Sequence, residues 1–194
     1  HSSQKAITDD GRVVILNADQ TWKFESKKST SEIATTLNAK KYFKKDSQTF
    51  RVKASPTNMG VYIDPEKWAF SKEKEDSNRL SFRAKTPGNS ELYGMLIPEA
   101  IEIELEALAD IALLNAKSAA PDAKIVKKEF RMVNGSKIMN LEIEGTIKSI
   151  VFKYIGYYAS NKSGTVQLIV YSAASIVNNK VNEIEDFLNG MVVN

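Results

Sequence analysis

The sequence predicts an α+β fold in which an antiparallel sheet of about six or seven strands carries helices packed on both faces. Three observations support this prediction. Four β-type runs follow one another between residues 124 and 172 with short breaks, an amphipathic helical stripe precedes them at Leu105 to Ala119, and a second stripe follows at Val177 to Met191. A sheet that is apolar on both faces needs a cover on each, and the two helices supply those covers.

The composition is that of an ordinary soluble globular protein and excludes several classes of chemistry. The 194 residues are 42% hydrophobic and 26% charged, and no apolar run approaches the ~18 residues of a membrane-spanning helix. Cysteine is absent and the one histidine is His1, which excludes thiolate sites and disfavours catalytic triads and His-ligated metals. A net charge of +3, spread along the chain, does not indicate nucleic acid binding. The sequence therefore predicts a non-enzyme without cofactor or metal.

The first 25 residues predict a β-hairpin arm. Two short β-type runs, Arg12 to Leu16 and Thr21 to Phe24, flank a polar turn. The arrangement resembles a motif at the N-termini of many exported bacterial proteins, but Gln20 stands where that motif has Gly, without the freedom of Gly at φ > 0. An isolated hairpin is marginal in water, so Trp22 and Phe24 are expected to dock on the main domain or on another chain.

Residues 26–57 predict a polar linker. They are rich in Lys, Ser, Thr and Asn and lack a sustained hydrophobic period. Four lysines interleave with Tyr42 and Phe43, namely Lys40, Lys41, Lys44 and Lys45. Such a pattern can bind an anionic membrane or nucleic acid, but a solvated linker explains it as well.

The main domain is predicted to span residues 58–194. It opens with a short strand that Asp64 and Pro65 end, and Pro65 also suits the first turn of a helix capped by Asp64. Two strand candidates follow, Arg79 to Ala84 and Glu91 to Pro98, joined by turn-forming residues. They predict an antiparallel pair.

The later β-type runs are the most informative stretch. They are Lys124 to Val133, Lys137 to Ile147, Ser149 to Ala159 and Thr165 to Ser172. The second run alternates cleanly, with Met139 and Leu141 on one face and Asn140 and Glu142 on the other. The last two runs carry large apolar side chains on both faces, as expected of central strands covered on two sides. The runs predict a meander, and Ser175 is predicted to cap the final helix.

Four segments stand out within this order of elements: Gly60-Val-Tyr-Ile-Asp-Pro-Glu-Lys-Trp68, Ile155-Gly-Tyr-Tyr158, Thr165-Val-Gln-Leu-Ile-Val-Tyr171 and Phe187-Leu-Asn-Gly190. Together with the order of the elements, they resemble the PsbP-like superfamily. The superfamily includes extrinsic photosystem II subunits, the eukaryotic Ran-binding release factor and DcrB-like bacterial envelope proteins. The resemblance spans about residues 58–193 and implies a PsbP-like α/β/α sandwich. It also implies a non-enzymatic binding or accessory role by fold analogy, and no functional residue carries over.

Aromatic side chains form the candidate ligand or partner surface. Tyrosines concentrate on the predicted strands and, with a tryptophan, can line a cleft with polar tips. The candidates are Trp22, Phe24, Trp68, Tyr93, Tyr157 and Tyr171. Aromatic residues in strands are also ordinary core or cross-strand pairs, so a packed sheet is the alternative interpretation.

The sequence thus predicts an exported, non-catalytic accessory or protein-binding module of the bacterial envelope, with another envelope protein as its partner. The chain opens with His-Ser-Ser and no Met, which suggests a processed or tagged N-terminus. We therefore expect a removed signal peptide and a periplasmic or lipoprotein-anchored location. The alternative is a small-molecule or lipid carrier that holds a small apolar ligand in the aromatic cleft. A sheet without a cavity near Tyr157 and Tyr171 would contradict the carrier.

Overall fold

The computed structural model describes residues 4–9, 12–25, 33–88 and 91–193. The chain divides into two compact units, His1–Thr30 and Ser31–Asn194. Each unit has its own sheet structure.

The first unit is a three-stranded antiparallel sheet of β1 (Gln4–Ile7), β2 (Val13–Leu16) and β3 (Trp22–Phe24), in that order. The predicted hairpin is present as β2 and β3, and β1 adds a third strand. The turn between β2 and β3 places Gln20 at φ +67°. Gln20 therefore adopts the left-handed conformation that glycine would adopt without steric cost.

The second unit contains the remaining described elements. In chain order they are β4 (Thr36–Tyr42), β5 (Phe50–Lys53), β6 (Gly60–Ile63), β7 (Trp68–Lys72), β8 (Leu80–Ala84), β9 (Tyr93–Glu99), α1 (Leu105–Ala119), β10 (Lys124–Val133), β11 (Ser136–Ile147), β12 (Ile150–Asn161), β13 (Gly164–Ala173), α2 (Ala174–Asn179), α3 (Val181–Leu188) and β14 (Met191–Val192). Helix α1 has the predicted bounds.

Eight strands of the second unit form one large mixed sheet in the order β4-β10-β11-β12-β13-β9-β8-β7. The predicted meander is confirmed, because β10 to β13 are successive antiparallel neighbours. β4, however, pairs with β10 in parallel, and β7 adds a strand beside β8. The prediction of an antiparallel sheet of six or seven strands is therefore wrong in number and type, because it left out two edge strands whose sequences show no clear alternation.

Helix α1 covers one face of the sheet over β10 to β12. Its buried residues Leu108 and Ala112 belong to the same apolar cluster as Met139 and Leu141 of β11. The alternation predicted for β11 is confirmed, since Asn140 lies on the other face and bonds to the Gly156 carbonyl. Both the helical stripe and the strand pattern thus face the same core.

The opposite face of the sheet has a mixed cover. The short helices α2 and α3 share it with a small three-stranded sheet of order β14-β6-β5. Val177 and Phe187 from the helices and Val61 from β6 lie in one core with Phe82 of the large sheet. The predicted helix-flanked sandwich is therefore corrected, because strands supply a large part of the second cover.

Residues 33–57, predicted to be part of a polar linker, belong to the second unit. They contain β4 and β5, and Tyr42 and Val52 from these strands are buried in the core. The linker prediction is wrong here because pairing with β10 and β6 determines the structure of this polar segment, and local composition does not report such pairing. The second unit starts at Ser31 and not near residue 58.

The predicted final helix is two short helices and a strand. α2 and α3 are separated at Lys180, whose φ of −126° is not helical. Ser175 lies within α2 and not at its N-cap. Met191 lies beyond the end of α3 and pairs with Val61 in the small sheet. The last apolar residue of the predicted stripe therefore belongs to strand β14.

Candidate functional site: a tyrosine row and an edge groove

Two of the candidate residues, Trp68 and Tyr157, lie in the core on the α2 and α3 side of the sheet. The Trp68 ring lies 4.2 Å from that of Phe187. Tyr171 lies on the opposite face, where it stacks on Tyr154. Because the sheet separates Tyr157 from Tyr171, these two residues do not line one cleft. The predicted aromatic cleft with both residues is therefore wrong.

Tyr157 belongs to a buried polar network centred on Arg131. The guanidinium Nε donates to Glu129 Oε1 at 2.6 Å. Its Nη1 donates to Tyr157 Oη at 3.0 Å and to Glu185 Oε1 at 2.8 Å. Tyr157 in turn donates to Asn189 Oδ1 at 2.6 Å. The network joins β10, β12, α3 and the turn before β14, so it holds the second cover on the sheet.

Glu129 and Tyr157 of this network keep fixed charge states near neutral pH. Burial raises the pKa of Tyr157, although the Arg131 guanidinium acts in the opposite direction. Burial also acts to raise the pKa of Glu129, but hydrogen bonds from Arg131 and Asn38 outweigh it and the pKa is lowered. A group that transfers protons at neutral pH needs a pKa near that pH, and these shifts lead away from it. Neither Glu129 nor Tyr157 is therefore tuned for proton transfer near neutral pH.

Tyr93 and Tyr171 do lie together, and Tyr154 joins them. They occupy directly opposite positions on the neighbouring strands β9, β13 and β12, and we call them the tyrosine row. The ring centroids are 6.0 Å apart for Tyr93 and Tyr171 and 5.4 Å apart for Tyr154 and Tyr171. Tyr93 is 40% exposed and the other two are half-buried. Burial raises the pKa of Tyr154 and of Tyr171, so both phenols stay neutral at pH 7.

The tyrosine row continues across the sheet in both directions. Beside Tyr154 it reaches Ile143, which is buried under α1. Beside Tyr93 it reaches the exposed Arg83. The row therefore runs from the covered part of this face to an open part, where aromatic rings and a cation are accessible.

Trp22 and Phe24 lie on one face of β3 in the first unit. Their rings meet edge to face at 5.3 Å, and the Arg12 guanidinium lies 4.4 Å from the Phe24 centroid. Trp22 is 55% exposed. Within the first unit these residues form a small aromatic surface.

An open groove that the sequence did not predict lies between β5 and β7, and we call it the β5/β7 groove. Its volume is about 340 Å³. Phe50 and Phe70 lie in it with ring centroids 5.6 Å apart, and they are 48% and 43% exposed. Its full lining is Phe50, Arg51, Val52, Lys53, Ser55, Phe70, Lys72, Asn78 and Leu80. The lining contains cations and no carboxylate.

Unpaired backbone of β7 borders the β5/β7 groove. Glu73 donates its N–H to the Arg79 carbonyl, towards β8. Bonding direction alternates along an antiparallel pair, so the N–H and C=O groups of Phe70 and Lys72 point away from β8. β7 is the last strand of the large sheet, and no described strand pairs with its outer edge.

β5 borders the groove in the same way. Ala54 donates its N–H to Met59 on the β6 side, so the alternation directs the backbone groups of Arg51 and Lys53 outward. β5 is the last strand of the small sheet, and its outer edge is likewise without a partner strand in the described residues. Two free strand edges therefore border one groove.

The predicted lysine cluster does not form one patch. Lys45 pairs with Asp186 at 2.6 Å, and the Lys44 ammonium lies over an aromatic ring at 5.0 Å. Lys40 and Lys41 are exposed on β4, the other edge of the large sheet. Lysines on an edge strand oppose pairing with further strands.

The described residues show no group of three or more acidic or histidine side chains placed to hold a metal ion. The helices within the described ranges are all too short or too polar to cross a membrane.

The fold is PsbP-like. Cyanobacterial PsbP from Synechocystis matches with a TM-score of 0.57 and 11% identity, over 76% of this chain and 94% of that chain. A Pseudomonas aeruginosa protein of unknown function matches with a TM-score of 0.50 and 9% identity, over 75% of this chain and 96% of that chain. The match to cyanobacterial PsbP confirms the predicted PsbP-like fold. No protein-family profile and no curated protein matches the sequence.

Proposed function

We propose that this chain is an exported, non-catalytic accessory protein of the bacterial envelope that binds another envelope protein. The tyrosine row is the observation that carries the proposal, because it leads from rings beside the α1 core to the exposed ring of Tyr93. Tyrosine is enriched in protein interfaces, since a rigid ring buries a large area and its hydroxyl can form a hydrogen bond. Arg83 at the end of the row adds a second side chain type that is enriched there.

The titratable groups support a role without catalysis. Cysteine is absent and the one histidine is the first residue. Where a carboxylate in the described residues has a shifted pKa it is lowered, as for Glu106 and Glu129. The shifted tyrosines are raised. Both directions move the groups away from the neutral range in which acid and base catalysts work.

The N-terminal sequence supports the proposed export, because the run around β2 and β3 resembles a motif of exported bacterial proteins.

Trp22 presents an exposed ring within the first unit. We propose that Trp22 and Phe24 provide an additional contact to the partner.

Partner capture with row variants tests the proposal. Tyr93→Ala and Tyr171→Ala should each weaken capture of the partner from the host's envelope extract. Loss of a central tyrosine costs about 2 kcal/mol of binding energy, or about thirtyfold in affinity. Phe43→Ala is the matched control, since Phe43 is an exposed ring outside the row. Equal capture by wild type, row variants and control would refute the role of the row.

The absence of a cleft between Tyr157 and Tyr171 contradicts a carrier that uses those residues, but one observation supports a small-molecule carrier with a different site. The volume of the β5/β7 groove, about 340 Å³, lies in the range of small-molecule sites, and its lining is part apolar and part cationic. Native mass spectrometry of the protein from its own host distinguishes the two functions. A retained small molecule favours the carrier, and a bare chain or a complex with a second polypeptide favours the binding module.

A further inference from the structure

We propose that the β5/β7 groove binds an extended acidic segment of a protein by β-strand addition. This is an interaction site separate from the tyrosine row. Phe70 packs towards Phe82 in the core on the α2 and α3 side, whereas the tyrosine row lies on the α1 face. The two sites can therefore be tested independently.

The backbone geometry requires an extended occupant. The outward N–H and C=O groups of Phe70 and Lys72 form the pattern that an added strand completes. Arg51 and Lys53 present the same kind of edge from the opposite wall. A polypeptide backbone supplies donors and acceptors at this spacing, whereas an acyl chain supplies neither.

The apolar side chains provide anchor points. Phe50 and Phe70 are close to each other and both nearly half exposed, with Leu80 and Val52 beneath them. In an added strand alternate side chains point to the same side, so every second residue of the segment can contact these rings. Aromatic or aliphatic residues at those positions bury the exposed ring area.

The charged side chains of the groove favour a bound segment with negative charge. Arg51, Lys53 and Lys72 line the groove without a carboxylate among the lining residues. Glu73, the residue that follows β7, lies towards the α1 face, where its charge acts on Tyr171. Acidic side chains of the segment would therefore be attracted by the cations of the lining, which contains no carboxylate to repel them. This charge complementarity favours an acidic segment.

Peptide libraries test the proposal on the full chain. The probe is a pool of acetylated octapeptides with Asp, Glu, Phe, Tyr, Leu or Val at every position, which allows acidic and apolar side chains on either face of the added strand. The control pool has Lys in place of each acid. We expect selective retention of acidic peptides, detected by affinity selection and mass spectrometry and then measured by fluorescence anisotropy.

Two sets of variants locate the binding. Lys53→Glu and Lys72→Glu should each reduce the affinity of the selected peptide about tenfold or more, since each reverses an exposed charge in the lining. Lys148→Glu makes the same charge change in the β11 to β12 turn, outside the groove, and should leave affinity nearly unchanged. Tyr93→Ala should also leave affinity unchanged, which separates this proposal from the role of the tyrosine row.

N-methylation of the selected peptide tests strand addition directly. An added strand directs one alternate set of N–H groups at β7 and the other set at β5, so methylation of the set that faces β7 should abolish binding and methylation of the set that faces β5 should weaken it. Binding that tolerates methylation of both sets would overturn the proposal, as would binding that is unchanged in Lys72→Glu. Absence of selection from the acidic pool, or binding of dodecanoate in place of peptide, would also overturn it.

Discussion

Arg131 carries a full positive charge in the interior of the second unit. Its partners are two carboxylates, Glu129 and Glu185, and the phenol of Tyr157. A buried charge is tolerated when it is paired and fully hydrogen-bonded, and removal of one partner leaves the others desolvated without compensation. We therefore expect single substitutions in this network to cost more than comparable changes at the surface.

Glu129→Gln should alter the acid sensitivity of the protein. The folded pKa of Glu129 lies below its unfolded value of 4.5, so between the two values the unfolded chain binds more protons and stability falls as pH decreases. The variant lacks this titration. As pH falls through that interval, the free energy of unfolding of wild type should therefore decrease by up to about 1.4 kcal/mol per pH unit more than that of the variant.

Urea unfolding from pH 7 to pH 3 measures the difference. At pH 7 Glu129→Gln should lower the free energy of unfolding by about 1 to 3 kcal/mol, because Arg131 loses a charged partner. The exposed Glu183→Gln is the control. Identical pH profiles for wild type and Glu129→Gln would show that Glu129 does not link pH to stability.

At the scale of elements, two turns of the meander have similar backbone geometry but different residues. Asn134 and Gly135 have φ of +48° and +82° between β10 and β11, and Lys148 and Ser149 have φ of +49° and +67° between β11 and β12. Asn-Gly is the favoured pair for such a turn, and Lys-Ser is not. The second turn therefore retains steric strain that the first avoids.

Ser149→Gly should stabilise the protein. Removal of Cβ from a residue in the left-handed conformation should raise the free energy of unfolding by about 0.5 to 1 kcal/mol, after the greater chain entropy of glycine in the unfolded state is included. Gly135→Ala, the reverse change where no atom lies within 4 Å of the added Cβ, should destabilise by about 1 kcal/mol. Chemical denaturation measures both, and a neutral Ser149→Gly would mean that the turn does not carry this strain.

Local pattern predicted some elements well and others not at all. The bounds of α1 and the meander follow from residues close in sequence, such as Met139 and Leu141. The sequence does not indicate β4 and β5, because β4 pairs with the distant β10 and both strands are largely exposed, with weak alternation. Lys180 divides the last helix although the apolar stripe continues through it.

The same distinction applies to the candidate sites. The sequence identifies Tyr93 and Tyr171 as aromatic strand residues, but only the register of β9, β13 and β12 shows that both lie beside each other in one row with Tyr154. Trp68 and Tyr157 are also aromatic strand residues in the sequence, but in the structure they lie in the core. The β5/β7 groove depends on which strands end each sheet, and no local signal around Phe50 or Phe70 reports that.

At the scale of the whole molecule, the boundary near residue 30 predicts the result of truncation. A chain that starts at Ser31 should fold and unfold cooperatively, with a Tm close to that of the full chain, because its core clusters lie within the second unit. A chain that starts at residue 58 lacks β4 and β5, and with them the buried Tyr42 and Val52, so it should be strongly destabilised. Calorimetry of the two truncated chains checks this, and equal stability would contradict the boundary.

The two edges of the large sheet have unequal consequences for assembly. β4 ends the sheet with exposed Lys40 and Lys41, which oppose further strands. β7 ends it beside the β5/β7 groove, and a strand added there has β5 on its far side. Growth of a ribbon from copy to copy is therefore blocked in both directions. A segment that enters the groove yields a one-to-one complex of fixed size rather than the first layer of a fibre.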